Sequence, residues 1–405
     1  MADLRVKFCG IDFKNPILVA SAEPSNSVAN IKKCIDNGAA GIVVKTIGDI
    51  PAFRQLTKNS KYCILNDKTR PIEGKVPRSF TFYSRSGYIS QPHEEWIPIL
   101  KETVEYARQN DSHIIGNVTG GTLQGWVDLA KMTEDCGVSM LEINLQHGAP
   151  PELADRAKGH YIACDPEMTA EITRRVTEAV SIPVMAKQTP EAVSLTDVAR
   201  AAQGAGASAV CVNSRFKGFA TDIETGKPYI DGPAGVGGPW VKPLTLRWVQ
   251  DIYSQLGMEI AGSNGIYDGK DAIEFLMSGA KVMQVCSILM LKGIEWLPKM
   301  IKDVETFMDS HGYPDIESLY GISARAAVTS FPELLKAPRI EATINHDTCL
   351  YPKCNACTRM CFYDVMRPGE NQVDVHVENC IGCNLCMNTC PTGSISMVPA
   401  GTSAA

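Results

Sequence analysis

Residues 259–287 read EIAGSNGIYDGKDAIEFLMSGAKVMQVCS. The first residues, Glu259–Gly262, form a short run with strand character, and Lys281–Cys286 forms another. Between them, Asp268 to Gly279 carries apolar residues at helical spacing. An aspartate opens that stretch and a glycine closes it, which are ordinary helix start and stop signals. Two strands joined by a helix run parallel, because a short turn cannot bring the chain back to the same end of the sheet.

The same unit recurs towards the N-terminus. Strand-like runs are expected at Ile17–Ala20, Gly41–Lys45, Ile114–Val118, Met140–Leu145, Val184–Lys187 and Ala209–Asn213, with helical patterns at residues 26–38 and 122–137. Eight strands alternating with helices predict an α/β fold, a (β/α)8 TIM barrel over residues 1–312. A doubly wound sheet is the alternative. The number of units and the lack of an early glycine fingerprint favour the barrel. Residues 49–92, after the second strand, are too long for a simple loop and are expected to cover a site.

Barrel chemistry gathers at the C-terminal strand ends. Polar residues recur there: Ser21; Lys45 and Thr46; Asn117 and Thr119; Asn144 and His147; Lys187; Asn213 and Ser214; Ser263, Asn264 and Gly265; Cys286 and Ser287. The glycine-bracketed turn 262–265, with residues 286–287, suits a phosphate site, where backbone N–H groups can approach an anion. Lys45 and Lys187 could stabilise negative charge on a reduced flavin. A single strand-end lysine is more often a solvated rim residue; the joint occurrence on so many strands carries the argument.

The chain has 405 residues, of which 44% are hydrophobic and 21% charged, with a net charge of −6. This globular, mildly acidic composition argues against a nucleic-acid or membrane-surface partner. The N-terminus shows no signal-peptide pattern and no run suits a membrane span, so a cytoplasmic protein is expected.

Cysteine is unevenly spread. Of 15 cysteines, eight crowd between Cys349 and Cys390. Their spacings are Cys349-x4-Cys354-x2-Cys357-x3-Cys361 and Cys380-x2-Cys383-x2-Cys386-x3-Cys390-Pro391. The second is the bacterial ferredoxin pattern. In such domains the fourth cysteine of each run serves the other cluster. Cys349, Cys354, Cys357 and Cys390 are therefore expected to hold one 4Fe-4S cluster, and Cys380, Cys383, Cys386 and Cys361 the second. Paired zinc sites are the alternative. Three close cysteines followed by a fourth and a proline fit the cluster better. The expected layout is a linker or helical extension at 313–344, a ferredoxin-like two-cluster domain at 345–398 and a flexible tail at 399–405.

The segments NPILVASAEPSNS, VVKTI, GNVTG, LEINL, VMAKQTP, CVNS, KPLTLRWV, GSNGI and LMSGAKVMQVCS, followed by the cysteine runs, cover nearly the whole chain. In this combination the sequence resembles the dihydropyrimidine dehydrogenase and dihydroorotate dehydrogenase family of FMN barrels. The likeness is to the dihydropyrimidine type, whose barrel continues into a two-cluster ferredoxin domain. The resemblance implies an FMN held by Ala20, Ser21, Lys45, Thr46, Lys187, Asn213, Gly238, Gly262, Ser263, Gly265, Cys286 and Ser287. Asn117 and Ser214 are further strand-end candidates. It also implies that homo-oligomers are common.

Departures from the family pattern bear on substrate. After the fourth strand the family carries a proton-handling cysteine or serine, whereas this chain reads Asn144-Leu145-Gln146-His147-Gly148. His147 falls at the catalytic position, and histidine suits acid–base work near neutrality. Alternatively His147 only packs the loop, and Cys164, His160, Tyr161 or no side chain takes the proton role. Of the asparagines that hold a pyrimidine, Asn144 and Asn213 match, while Thr122 stands where another is expected. Arg85, Arg215 and Lys217 add cations, and an acidic substrate could pair with Arg85 or Arg215. Equally, these cations could face solvent or the FMN phosphate. Cys164 is a further candidate beside the substrate.

The expected function is an FMN- and iron–sulfur-dependent oxidoreductase acting on an activated C=C bond of a cyclic or conjugated carbonyl compound. Asn144, Asn213 and Lys45 attend the reacting centre and His147 supplies the proton. A true dihydropyrimidine dehydrogenase subunit and a pure electron-transfer subunit are the alternatives. No glycine-rich nicotinamide motif is visible, so the expected donor is an FAD subunit oxidising NAD(P)H, or a ferredoxin.

Overall fold

The computed structural model describes residues 1–148, 150–157 and 160–402. They form two compact units, Met1–Ala326 and Ala327–Ala405.

The first unit is a closed parallel barrel. Its strands are β1 (Ile17–Val19), β2 (Gly41–Val43), β3 (His113–Thr119), β4 (Met140–Asn144), β5 (Val184–Lys187), β6 (Ala209–Val212), β7 (Glu259–Ser263) and β8 (Val282–Val285). Each pairs with the next, and Met283↔Ile17 closes β8 onto β1. Helices cover the outer face of such strands and the packed barrel interior covers the inner one, so the strands read as continuous apolar runs rather than alternating ones. In β1, β2, β5, β6 and β8 every residue is buried. All eight expected strands are present, with ends shifted by a residue or two.

The outer helices are α1 (Val28–Asp36), α2 (His93–Gln109), α3 (Leu123–Glu134), α4 (Pro166–Thr177), α5 (Leu195–Gly204), α6 (Lys242–Leu256), α7 (Gly269–Ser278) and α8 (Leu297–His311). Side chains accept from backbone N–H groups at several starts: Ser27 before α1, Thr122 before α3, Asp165 before α4, Ser194 before α5 and Asp268 before α7. Such a cap satisfies donors that the first turn leaves free.

Two additions close the ends. An N-terminal hairpin pairs Val6–Phe8 with Ile11–Phe13. Its Phe13 packs on His113 at the start of β3, which puts the hairpin at the N-terminal end. At the other end, the segments after β2 and β6 build one antiparallel sheet. Its strands run in the order Phe216–Gly218, Ala234–Gly237, Thr81–Arg85 and Lys61–Leu65. The expected cover over the site is therefore half of a joint roof.

The stretch 313–344 is not one connector. Ile316–Leu319 and Ile322–Ala326 are short helices of the barrel unit, with Ile316 and Leu319 fully buried against it. Ile340–Ile344 instead pairs with Ile395–Pro399 in the second unit. That strand occupies the start of the expected tail, and Ala400 N–H still bonds to Arg339 O. Residues 403–405 lie outside the described residues. The second unit adds a hairpin, Met366–Pro368 with Val373–Val375, and short helices Ala356–Met360 and Leu385–Thr389. Among the described residues no helix is long and apolar enough to cross a membrane.

Candidate active site

A cavity of about 310 Å³ opens at the C-terminal end of the barrel. Its floor is the strand ends: Ala20 and Ser21 after β1, Lys45 and Thr46 after β2, Asn144 and His147 from β4, Lys187 from β5, Asn213, Ser214 and Arg215 after β6, Ser263 and Gly265 from β7, and Cys286 and Ser287 after β8. Tyr62, Phe82, Ser84 and Ser86 of the roof also line it.

Five expected residues stand off the lining, each for a visible reason. Asn117 points into the barrel and donates to Glu142 at 2.6 Å. Gly262 is a packing glycine: a Cβ there would meet the Phe275 ring at 2.3 Å. Gly238 precedes α6, close under Phe80 O. Arg85 is drawn to Asp231 on the roof at 2.7 Å. Cys164 ends the turn Ile162–Cys164 outside the lining, where burial pushes its thiol up. Of the other candidates for the proton role, Tyr161 lines the cavity and His160 is exposed. Thr122 is spent as the cap of α3, accepting from Gly125 N–H at 2.9 Å.

Two lysines reach the floor with a carboxylate each. Lys187 Nζ lies 3.0 Å from Glu142 Oε1 and 3.1 Å from Gln284 Oε1. Gln284 Nε2 donates to the other oxygen of Glu142 at 2.5 Å. Burial works against the Lys187 charge, but Glu142 outweighs it, so its pKa stands above the ordinary value. Lys45 Nζ lies 2.6 Å from Glu23 Oε1. Burial would raise the Glu23 carboxyl, yet Lys45 and the Tyr62 hydroxyl hold it below its usual range. Arg215 is different: its guanidinium donates to Ser84 O at 3.1 Å and to Ser84 Oγ. Among the described residues it pairs with no carboxylate. Gly235 lets it lie flat, since a Cβ there would meet Arg215 Cζ at 2.6 Å.

His147 is held at the same end. Its Nδ1 is 2.9 Å from the Tyr88 hydroxyl. The Tyr88 and Phe53 rings meet it edge-on, with centroids 4.9 Å and 5.5 Å away. Removal from water lowers its pKa to about 4, so the ring is neutral at pH 7. Gln146 bridges onward, donating to Arg215 O at 2.8 Å.

Several buried polar atoms lack partners. On the lining they include both amide atoms of Asn213 and the Ser214 hydroxyl. Such atoms cost free energy unless a bound group meets them. Gly265 has φ +101°, and a Cβ there would strike the Lys242 backbone at 2.7 Å. The turn after β7 thus presses against the start of α6 at the edge of the cavity. A polar heterocycle with a phosphate, such as a flavin mononucleotide, fits these residues.

In the second unit, Cys349, Cys354, Cys357 and Cys390 line one small cavity. Cys361, Cys380, Cys383 and Cys386 line another. These are the two expected ligand sets, with the fourth cysteine of each run crossing to the other set. Backbone N–H groups already point at both crossing sulfurs, from Ser394 to Cys390 at 3.3 Å and from Val365 to Cys361 at 3.4 Å.

Sequence reading missed Glu142, Gln284 and Glu23, and named Tyr88 only as the end of the segment 83–88 expected to supply polar contacts. Glu142 and Gln284 left a signal, a charged or amide side chain buried within a largely apolar strand. Glu23 left none.

Comparison with known proteins agrees with this geometry. Residues 3–308 match the family model described as dihydroorotate dehydrogenase, and residues 373–396 match a 4Fe-4S binding domain. The NAD-dependent dihydropyrimidine dehydrogenase subunit PreA of Escherichia coli K12 is 27% identical over 413 residues, covering 98% of this chain and 95% of that protein. The catalytic subunit of dihydroorotate dehydrogenase B (NAD(+)) from Methanothermobacter thermautotrophicus is 27% identical, covering 79% of this chain and 98% of its own. Its counterpart from Thermoplasma volcanium is 28% identical, over 80% of this chain and 100% of its own. The chain belongs to the dihydroorotate dehydrogenase family of flavin-dependent oxidoreductases and continues, after its barrel, into a 4Fe-4S binding domain.

Proposed function

We propose that this chain is the catalytic subunit of an FMN enzyme with two 4Fe-4S clusters, which reduces or forms an activated C=C bond in a cyclic, conjugated carbonyl acid. The observation that carries it is one cavity lined by His147, an unpartnered Asn213 amide and an Arg215 guanidinium without a carboxylate. Asn144 and Asn213 hydrogen-bond the substrate carbonyl and polarise it. Arg215 forks onto a carboxylate, for which its planar donors are shaped. His147 handles the proton on the carbon beside the one that exchanges hydride. Ser263, Gly265 and Ser287 would hold the FMN phosphate, and Lys45 and Lys187 would stabilise negative charge on the bound flavin. Bound FMN supplies the two-electron chemistry. The roof keeps water from the reacting carbons.

The cysteine sets hold the clusters, Cys349, Cys354, Cys357 and Cys390 one and Cys361, Cys380, Cys383 and Cys386 the other. Clusters held there would supply one-electron transfer to a partner, either an FAD subunit that oxidises NAD(P)H or a ferredoxin. The names of the relatives, each a subunit, support a partner. Cys383→Ser should remove one cluster and keep the other, read as iron and acid-labile sulfide content with the spectrum of the surviving cluster. Zinc in place of iron would defeat the assignment.

A second reading, a dihydropyrimidine dehydrogenase subunit, is favoured by the full-length relative of that name. Anaerobic reoxidation of the reduced flavin separates the two. Cyclic conjugated acids should reoxidise it faster than uracil or thymine, and rapid reoxidation by uracil would reject the acid reading. Arg215→Leu should raise KM for the acid roughly thirtyfold, the equivalent of about 2 kcal/mol for a charged hydrogen-bonded contact. An unchanged KM would remove Arg215 from substrate binding.

A further inference from the structure

We infer that Tyr88 is a positioning residue, whose hydroxyl donates to Nδ1 of His147 and fixes that ring as the neutral tautomer with its proton on Nε2, towards the cavity. The inference rests on the proton role given to His147 above, and it changes the chemistry of that role.

The geometry is a pinned pair. The phenol oxygen lies 2.9 Å from Nδ1, and the two rings meet edge-on. Tyr88 itself is fixed from several sides. Its N–H bonds to Phe53 O at 3.3 Å, its carbonyl accepts from Thr57 Oγ1 at 2.5 Å, and the next N–H, of Ile89, bonds to Thr46 O at 2.9 Å. Behind the ring stands Gly48, where a Cβ would sit 2.5 Å from the Tyr88 ring carbons. A glycine at 48 therefore makes room for the phenol. Phe53 closes the other side of the imidazole. The segment between β2 and α2 delivers both aromatic residues to the loop after β4.

The contact itself admits either partner as donor; the inferred direction is from the phenol, whose one proton then finds an acceptor in Nδ1 and leaves the imidazole its own proton for the cavity. Burial raises the phenol's pKa and lowers the imidazole's, so both partners are neutral at pH 7. The other titratable or charged groups around the ring are Asp49, whose charge reaches the phenol, and Tyr161, Arg215 and Lys217 along the cavity wall. A tyrosine proton placed on Nδ1 leaves the ring's own proton on Nε2. In the reductive direction the Nε2–H bond breaks and a C–H bond forms on the substrate. Its electron pair remains on the imidazole, where the Tyr88 hydroxyl stabilises the charge, and water restores the proton. The accompanying hydride comes from a reduced flavin. A neutral imidazole can act this way when its ring is oriented and its pKa lowered by the fold.

Holoprotein labelled with nitrogen-15 at histidine tests the tautomer directly, with His147 assigned by its loss in His147→Asn. The ring should read as Nε2–H between about pH 5 and pH 9, well above the lowered pKa. Tyr88→Phe should mix the tautomers and lower kcat about 10- to 100-fold with KM little changed. The wild-type kcat should stay flat over the same pH range, whereas an imidazolium acid would lose rate above its pKa. An imidazolium or an Nδ1–H ring in the wild type overturns the inference, and that measurement needs no variant. Slow turnover in His147→Asn with normal kcat and tautomer in Tyr88→Phe defeats the inference alone. Normal turnover in His147→Asn defeats the proton role beneath it.

Discussion

His147→Asn should slow substrate turnover by about 10²–10⁴-fold, the usual worth of one acid–base group, while the protein keeps its flavin. Asparagine is close in size to the near half of the imidazole and can still donate a hydrogen bond. It cannot release a proton to carbon at neutral pH. The flavin contacts proposed above come from other strands, so the visible flavin spectrum should persist. Reduction of the flavin from the donor side should also keep its rate, because no substrate proton is involved. Stopped-flow measurement of the two half-reactions separates these effects. If the oxidative half-reaction is unchanged, the role passes to Tyr161, the other proton-bearing candidate on the lining.

Glu142→Leu should destabilise the barrel by about 3–5 kcal/mol, the typical loss when one partner of a buried ion pair is removed. The carboxylate is fully enclosed and accepts from Asn117, Lys187 and Gln284. Leucine is of similar volume, so packing changes little. What changes is that the Lys187 ammonium loses its counter-charge in a site almost closed to water, and two amides lose their acceptor. Urea unfolding of the variant, with the slope unchanged, reads the difference. A second replacement, Lys187→Met, should recover part of the loss while weakening flavin retention. Recovery would identify the stranded charge as the cause. A loss below about 1 kcal/mol would be ordinary for any substitution and would mean that water reaches the pair.

The barrel was legible because parallel strands buried on both faces leave apolar runs that need no partner to be recognised. The roof was not. Its strands are short and of mixed polarity, and Ser84 pairs with Gly235 across a long stretch of chain. Local pattern holds no trace of such pairing. The same limit acts on the site. Lys45, Lys187, Asn144 and Asn213 could be placed at the cavity from strand-end position alone, but Asn117 could not be told apart as a residue of the barrel interior, nor Arg85 be separated from Arg215. Only the fold brings Asp231 to one and leaves the other without a carboxylate. The grouping of the eight cysteines around two small cavities was legible because the spacing within each run, with its crossing fourth cysteine, decides which thiols meet. Thr122 stood at a plausible substrate position and is a helix cap, a role that depends on where α3 begins.

The roof draws its strands from two excursions of the chain, residues 61–85 and 216–237, while the proposed phosphate cradle belongs to β7 and β8. The roof and the proposed phosphate cradle are therefore written on separate stretches of sequence, while the residues proposed to hold the substrate, Asn144, His147, Asn213 and Arg215, stay with the floor. Swapping both excursions together into a related barrel would transplant the ceiling without disturbing the floor. Swapping one alone would leave a half-sheet with a bare edge over the site. The two insertions are one structural unit that happens to be interrupted by four strands of barrel.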